Sequence, residues 1–168
     1  MTANNLQFEL ICIDDGSRDG SLEILKIEAL KRPYLKVIHF WRNYGQTAAM
    51  SAGVDYSKGD IIITIDGDLQ NDPANIPNLL KKMEEGFDVV SGWRKNRKDN
   101  SFSRTLPSRI ANKLISLISQ VHLNDYGCTL KAYRRDIISG VRLYGEMHRF
   151  IPIYAQWQGA RVTELVVN

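Results

Sequence analysis

Short β-branched runs alternate with helix-length segments along the first half of the chain, and this alternation limits the fold more than any other feature. The runs occupy residues 8–13, 35–40, 60–65 and 87–92. Strands separated by crossover helices are typical of βαβ units, in which successive strands are parallel. The pattern predicts an α/β chain with a Rossmann-like open, mostly parallel sheet that carries helices on both faces.

Helix signals fill the segments between these runs. Residues 21–32 place Leu22, Leu25 and Leu30 on one predicted helix face, and Pro33 ends the pattern. The other predicted elements are a helix at 46–57, a helix capped by Asp72 and begun by Pro73, a helix bearing Leu106, Ile110, Leu114, Leu117 and Val121, a strand at 128–134, helices at 135–143 and 147–157, and a strand at 161–167.

Composition sets outer limits on function. The 168-residue chain, with 43% hydrophobic and 24% charged residues, has the profile of a single soluble domain. Its net charge of +3 is too small to indicate nucleic-acid binding. Cys12 and Cys128 lack metal-ligand spacing, which favours free thiols that serve in packing. No apolar run approaches the roughly 18 residues of a spanning helix, so we expect any membrane contact to be peripheral.

Concentrated acidity follows the third predicted strand, in the stretch IIITIDGDLQNDP at 61–73. Ligands of open α/β sheets bind beyond the carboxyl ends of the strands, where Asp66 and Asp68 are expected. Carboxylates at this spacing, with Gln70 as a third oxygen donor, suit Mg²⁺ or Mn²⁺ completed by substrate phosphates, and Gly67 lets a ligand approach the backbone. The alternative is a solvated Asp-Gly-Asp turn without a metal.

A second acidic cluster, DDGSRDGS at 14–21, follows the first predicted strand. Its carboxylates at Asp14 and Asp15 are predicted at the same rim of the sheet. They suit either Asx-turn and helix-capping chemistry or hydrogen bonds to a ribose hydroxyl or a base N–H.

Five blocks of the sequence resemble one known family. They are DDGSRDGS, RNYGQTAAMSAGVDYSKGDIIITIDGDLQNDP, GWRKNRKD, DYGCTLKAYRRD and YGEMHRF. In this order they are similar to the family 2 glycosyltransferases of GT-A fold, and within them to the dolichol-phosphate mannosyltransferase-like branch. That branch transfers sugars to polyprenyl phosphates.

The resemblance implies a donor, a metal and an acceptor. The donor is a nucleotide-diphosphate sugar, UDP- or GDP-linked, and the sugar passes with inversion to a polyprenyl phosphate at the cytoplasmic face of a membrane. Mg²⁺ or Mn²⁺ is the implied cofactor. Homo-oligomers and membrane-subunit partners are left open. The implied donor residues are Asp14, Asp15, Asp66, Gly67 and Arg94, and the implied metal ligands are Asp66, Asp68 and Gln70.

Residues for the acceptor come from the second half of the chain. A basic loop at 93–109 supplies guanidinium groups for phosphate charge, with Arg94 expected at the donor. Asp125 is the counterpart of an acidic residue near the acceptor and is interpreted as a general base or a positioning group. The remaining predicted acceptor contacts are Arg104, Arg109, His148 and Arg149, while Lys131, Arg134 and Arg135 are interpreted as phosphate contacts or, in preference, as solvated surface.

Two features of the resemblance are absent. The chain begins about one βα unit later than family members do, and it ends before their basic C-terminal segment, so we expect a fragment whose missing strand lies between runs 8–13 and 60–65. One alternative is a non-catalytic, nucleotide-binding remnant or partner subunit. Another is a haloacid dehalogenase-like phosphatase, which would need Thr or Val where Gln70 stands.

Overall fold

The computed structural model describes residues 6–95, 119 and 121–167. The chain divides into two compact units. Unit 1 consists of residues 1–60 and 142–148, and unit 2 consists of residues 61–141 and 149–168. No helix in the described ranges is long and apolar enough to cross a bilayer.

Unit 1 is built on one βαβ element. Its elements are β1 (Leu10–Asp14), α1 (Ser21–Lys31), β2 (Leu35–His39) and α2 (Gln46–Tyr56). β1 and β2 run parallel, with Leu10 opposite Leu35 and Asp14 opposite His39. The first two predicted strands and both predicted helices are thereby confirmed.

The predicted apolar face of α1 is wrong in one position. Leu22 and Leu25 are half-buried, whereas Leu30 is 89% exposed. At 100° per residue, Ala29 and not Leu30 lies beneath Leu22 and Leu25. Ala29 is accordingly half-buried, and the true inner face is defined by the spacing of these three residues.

In its described residues, unit 2 contains a four-stranded sheet and three α-helices. The elements are β3 (Ile61–Thr64), α3 (Ile76–Glu84), β4 (Val89–Trp93), β5 (Lys131–Arg134), α4 (Arg135–Ile138), α5 (Ile151–Trp157) and β6 (Val162–Val166). A 3-10 turn at Pro73–Asn75 leads into α3, and the Asp72 side chain accepts a hydrogen bond from Ala74 N as the predicted cap. The strand order is β3-β5-β4-β6.

The position of β5 corrects the expectation that the first four strands form one parallel sheet. β5 lies between β3 and β4 and is antiparallel to both, while β6 is parallel to β4. An antiparallel return strand has the same β-branched and aromatic composition as a parallel one, so its direction does not show in the sequence. Three of the four strands still share a direction, which fits a mostly parallel sheet. Among described residues β1 pairs with β2 alone and β3 with β5 alone, so the missing strand stays a prediction.

One face of this sheet packs against α3 and forms the main core of unit 2. Leu79 and Met83 of α3 contact Val90 of β4 and Ala132 of β5. Ala132 lies opposite both Ile63 of β3 and Val90, so these three neighbours point to the α3 side. A smaller cluster contains Val121, Leu123, Tyr126 and Ile153.

Replacing Leu79 by alanine tests this core. Leu79 is 0% exposed, and its truncation is expected to destabilise the chain by about 2–5 kcal/mol because a cavity is left beneath the sheet. Chemical denaturation followed by circular dichroism measures the change. Leu69→Ala is the matched control, since Leu69 is 95% exposed and its truncation removes no packing. Equal destabilisation by the two variants would contradict the assigned core.

The backbone of Leu69 generates a second test. Leu69 has φ of 63°, in the left-handed region that disfavours residues with a Cβ. Glycine at this exposed position relieves that strain, so Leu69→Gly is expected to be up to about 1 kcal/mol more stable than Leu69→Ala. Thermal unfolding of the two variants provides the comparison, and a glycine variant clearly less stable than the alanine variant would show that no strain resides there.

Candidate functional site

Three segments of unit 2 meet at one end of its sheet because β5 is antiparallel. Lys131, the first residue of β5, lies opposite Thr64 at the end of β3 and opposite Ser91 near the end of β4. The Thr64 hydroxyl donates to Thr129 O over 2.7 Å, and Gly92 N donates to Leu130 O over 2.9 Å. The residues that follow β3 and β4 therefore lie beside those that precede β5.

The acidic loop after β3 occupies this end of the sheet. Asp66 is half-buried, whereas Gly67, Asp68 and Gln70 are exposed. Asp68 Oδ1 accepts a hydrogen bond from Gln70 N over 3.0 Å, which closes a tight turn through Leu69. The loop follows the carboxyl end of β3, as predicted, and Asp68 is exposed to solvent there.

The donor set of this loop fits a hard divalent cation. Each carboxylate has about four lone-pair sites, so the one hydrogen bond at Asp68 leaves room for a cation. Within the described ranges no group of three or more His, Cys, Asp or Glu side chains is placed to hold a metal. A cation held by Asp66 and Asp68 would thus need further oxygen ligands, which suits Mg²⁺ or Mn²⁺ completed by substrate phosphates and water.

Asn71 anchors the acidic loop, and the sequence prediction missed it. The side chain is buried; its Nδ2 donates to Thr129 Oγ1 over 3.1 Å, and its Oδ1 accepts from Cys128 Sγ over 3.4 Å. Both partners precede β5, so Asn71 ties the loop after β3 to the segment before β5. The only sequence signal was an amide after the acidic motif. Burial raises the pKa of the Cys128 thiol, which agrees with the predicted packing role.

Arg94 and Asp125 form a largely buried ion pair at the same end of the sheet. Arg94 Nε donates to Asp125 Oδ2 over 2.9 Å, and Arg94 Nη2 donates to Asp125 Oδ1 over 3.3 Å. Asp125 Oδ1 also accepts from Gly127 N over 3.0 Å. The structure thus brings together two residues that the sequence assigned separately, one to the donor phosphate and one to the acceptor.

Lys131 is buried, so its preferred interpretation as solvated surface was wrong. Its side chain is 3% exposed, and its ammonium donates to the carbonyl oxygens of Tyr126 and Cys128. Burial lowers the pKa of Lys131 to about 8, opposed by the charges of nearby groups that include Asp125 and Asp66. Lys131 and Tyr133 share one face of β5, and both are buried there.

In unit 1, Asp14 holds the end of β1 to the end of β2. Its carboxylate accepts from Ser17 N over 3.2 Å, and His39 Nδ1 donates to Asp14 Oδ2 over 2.7 Å. Burial acts to raise the pKa of Asp14, but the hydrogen bonds from Ser17 and His39 outweigh it and the pKa is lowered. Asp14 is therefore ionised at neutral pH.

Asp15 binds a different loop of unit 1. Its two carboxylate oxygens accept from Tyr44 N over 2.7 Å and from Gly45 N over 2.9 Å. Beside it, Gly16 has φ of +75°, and a Cβ there would lie 2.5 Å from the carbonyl carbon of Arg42. The DDGS motif thus packs directly on the loop that follows β2. Asp14 makes a local turn contact with Ser17, but neither carboxylate caps a helix, since α1 and α2 have no side-chain cap hydrogen bond. The predicted nucleoside contacts of Asp14 and Asp15 stay a prediction.

The predicted acceptor residues differ in exposure. His148 belongs to unit 1 and is buried, with its Nδ1 2.6 Å from Thr47 Oγ1. Because that hydroxyl donates its hydrogen to Gly145 O, His148 Nδ1 is the donor to Thr47. This arrangement favours a structural role for His148. Arg149 belongs to unit 2 and is exposed. Arg104 and Arg109 lie outside the described residues.

Curated relatives resemble nearly the whole chain. The dodecaprenyl-phosphate galacturonate synthase of Rhizobium johnstonii is 48% identical over 166 residues, which cover 96% of this chain and 49% of that protein. The undecaprenyl-phosphate 4-deoxy-4-formamido-L-arabinose transferase of Pseudomonas savastanoi is 45% identical, covering 98% of this chain and 49% of that protein. The chain therefore spans about half the length of the curated relatives it matches.

Solved structures confirm the predicted GT-A fold. Glucosyl-3-phosphoglycerate synthase from Mycobacterium tuberculosis, in complex with Mn²⁺ and UDP-glucose, superposes with a TM-score of 0.71 at 17% identity, covering 95% of this chain and 58% of that one. A mannosyltransferase from Pyrobaculum calidifontis, in complex with GDP-mannose and Mn²⁺, has a TM-score of 0.66 at 17% identity, covering 95% of this chain and 46% of that one.

Family membership follows from the extent of these matches. The sequence model described as Glycosyl transferase family 2 matches residues 2–142, which include the acidic motifs of both units. This match decides against the phosphatase interpretation of the Asp-Gly-Asp motif. The match, with the identity to the two curated relatives, shows that the chain belongs to glycosyl transferase family 2.

Proposed function

We propose that this chain is part of an inverting glycosyltransferase that transfers a sugar from a UDP- or GDP-linked donor to a polyprenyl phosphate. The observation that carries the proposal is the placement of Asp66 and Asp68 at the carboxyl end of β3, the end of the sheet that also holds the Arg94–Asp125 pair. Both curated relatives have a polyprenyl phosphate in their names, which supports the acceptor class. Such an acceptor resides in a bilayer, so we place the reaction at the cytoplasmic face of a membrane, reached by peripheral contact.

Asp66 and Asp68, with the Gln70 side chain, are the residues that would hold Mg²⁺ or Mn²⁺. When bound, the cation would neutralise the diphosphate of the donor as a leaving group. Gly67 between the carboxylates has open space at its Cβ position, so a phosphate can approach the backbone there. The exposed position of Asp68 lets a cation enter from solvent.

Arginine side chains supply the other positive charge that the reaction needs. The bidentate pair with Asp125 fixes the plane of the Arg94 guanidinium, which then presents a rigid edge to a phosphate. We assign this group to the donor diphosphate. Arg104, Arg109 and exposed Arg149 are assigned to the acceptor phosphate. Buried His148 is assigned a structural role within unit 1 rather than a contact with the acceptor.

The chemistry of the acceptor decides the role of Asp125. An ionised phosphate oxygen of the lipid attacks the anomeric carbon as the bond from that carbon to the donor diphosphate breaks, which inverts the configuration. This oxygen carries no proton near pH 7, so the step needs no general base. Asp125 is therefore proposed as the group that orients Arg94, not as the base.

Asp14 and Asp15 are proposed to shape the nucleoside site of unit 1. Each already accepts backbone or histidine hydrogen bonds, yet a carboxylate with about four acceptor positions can also meet a ribose hydroxyl or a base N–H. Their contacts hold the loop at 40–45 against the end of β1. A nucleoside bound there would meet a preformed surface.

The metal assignment predicts local paramagnetic broadening. Mn²⁺ added with UDP or GDP to the ¹⁵N-labelled chain should broaden the amide signals of Gly67, Asp68 and Gln70 first, because these lie nearest the proposed ligands. Asp66→Asn with Asp68→Asn should abolish this selective broadening. Asp60→Asn, an exposed aspartate before β3, is the control and should leave it intact. Unchanged broadening in the double variant would exclude this metal site.

Transfer itself is tested in the full-length protein. Radiolabelled sugar from UDP- or GDP-linked donors should appear on polyprenyl phosphate in the presence of Mn²⁺, and Asp66→Asn should reduce kcat/KM by about 100-fold or more. The Asp60→Asn control should retain the wild-type rate. A protein that binds the nucleotide but gives no transfer above a blank without enzyme would instead be the non-catalytic remnant.

A further inference from the structure

Lys131 carries a charge that the reaction proposed above does not use directly. Its ammonium is buried at the first residue of β5 and donates to Tyr126 O over 3.1 Å and to Cys128 O. These two carbonyls flank Gly127. The Lys131 ammonium therefore binds the first and the last carbonyl of the turn at 126–128.

The same turn holds the Arg94–Asp125 pair. Gly127 N, between the two carbonyls that Lys131 binds, donates to Asp125 Oδ1 over 3.0 Å. Asp125 in turn accepts from Arg94 Nε and Nη2. A continuous series of hydrogen bonds thus connects the Lys131 ammonium, the turn, the Asp125 carboxylate and the Arg94 guanidinium.

The backbone of Lys131 is held in place by the sheet, so its side chain can fix the position of the turn at 126–128. β5 is an internal strand, and Lys131 has strand neighbours on both sides, Thr64 and Ser91. A further hydrogen bond fixes the first residue of the turn, since the Tyr126 hydroxyl donates to Val121 O over 2.6 Å. Displacement of the ammonium would therefore move the turn and not the sheet.

The charges around Lys131 suit a central cation. Asp125 and Asp66 stabilise its charged form, while Arg94 opposes it. Removing a charge from water is costly unless partners compensate it, and two carbonyls alone compensate an ammonium poorly. Asp125 and Asp66 offset part of this cost, so the acidic loop and the ion pair both act on the Lys131 ammonium, although burial still lowers its pKa to about 8.

We propose that Lys131 is a positioning residue that fixes the turn at 126–128 and thereby sets the Asp125 carboxylate and the Arg94 guanidinium for phosphate binding. The inference rests on the proposed function only for the identity of the phosphate. The series of hydrogen bonds from Lys131 to Arg94 is present in the protein without substrate. Its test can therefore be made on the protein alone.

The test follows the Arg94 Nε–H signal by ¹H–¹⁵N NMR in wild type, Lys131→Met and Lys131→Arg. In Lys131→Met the turn loses its cation, and exchange of the Arg94 Nε hydrogen with water should accelerate by about tenfold or more. Lys131→Arg keeps the charge and should restore most of the protection. Tyr133→Phe is the control: Tyr133 is equally buried, on the same face of β5 and neutral, and its variant should exchange as wild type does.

A purely structural role for Lys131 gives a different result. Lys131→Met would then change the melting temperature but leave the Arg94 signal and its exchange rate unchanged, which would overturn the proposal. Should Lys131→Met not fold, Lys131→Gln keeps one hydrogen-bond donor without charge and is expected to show intermediate exchange; wild-type exchange in it would equally overturn the proposal.

Kinetics of the full-length protein separate this inference from the proposed function. Lys131→Met should raise KM for the sugar donor by about tenfold with a smaller change in kcat, because Arg94 is assigned to donor phosphate already in the ground state. If Arg94 exchanges faster in Lys131→Met but the wild-type protein transfers no sugar, the positioning role of Lys131 is retained and the proposed function is refuted. If Lys131→Met transfers sugar with the wild-type KM and Arg94 exchanges at the wild-type rate, the proposed function is retained and the positioning role of Lys131 is refuted.

Discussion

Insertion of β5 between β3 and β4 is the constraint on which the site of unit 2 depends. An antiparallel strand at this position brings the residues before it to the carboxyl ends of its two neighbours. Asp66 follows β3, Arg94 follows β4 and Asp125 lies before β5, so one pairing pattern gathers three charged groups that are far apart in sequence. A parallel strand in the same place would send the 125–130 segment to the opposite end of the sheet. The direction of β5 thus decides whether the site exists.

Charge balance at that end of the sheet explains why so many polar groups can be buried there. Arg94 and Asp125 neutralise each other through two hydrogen bonds, and Lys131 is stabilised by Asp125 and Asp66. Asn71 and Thr129 satisfy each other without charge. Asp68 and Gln70 are exposed and keep their contact with solvent. In the proposed function, a cation bound by Asp66 and Asp68 and the donor diphosphate would add to this charge balance.

Local patterns predicted most of the elements but not the relations between them. Strand and helix periodicity predicted β1 to β6 and α1 to α5, with longer bounds for α4 and α5 than the structure shows, and the strand-end position of Asp66 and Asp68 followed from α/β architecture. The direction of β5, the burial of Lys131 and the anchoring by Asn71 depend on long-range pairing, which leaves no local signature. Leu30 is a different case, because the 100° turn per residue already separates it from the face that carries Leu22 and Leu25.

The pairing of Arg94 with Asp125 bears on the acceptor phosphate of the proposed function, which is already an anion. A general base must release its partners to take a proton, whereas a carboxylate held by two guanidinium hydrogen bonds and a backbone N–H is stabilised in its charged form. The Asp125 carboxylate is therefore poorly suited to accept a proton and well suited to hold Arg94 in position. An anionic nucleophile needs no deprotonation, and its difficulty is repulsion from the donor diphosphate. Fixed cations reduce this repulsion, and the buried network around the turn at 126–128 is suited to hold the Arg94 guanidinium in place.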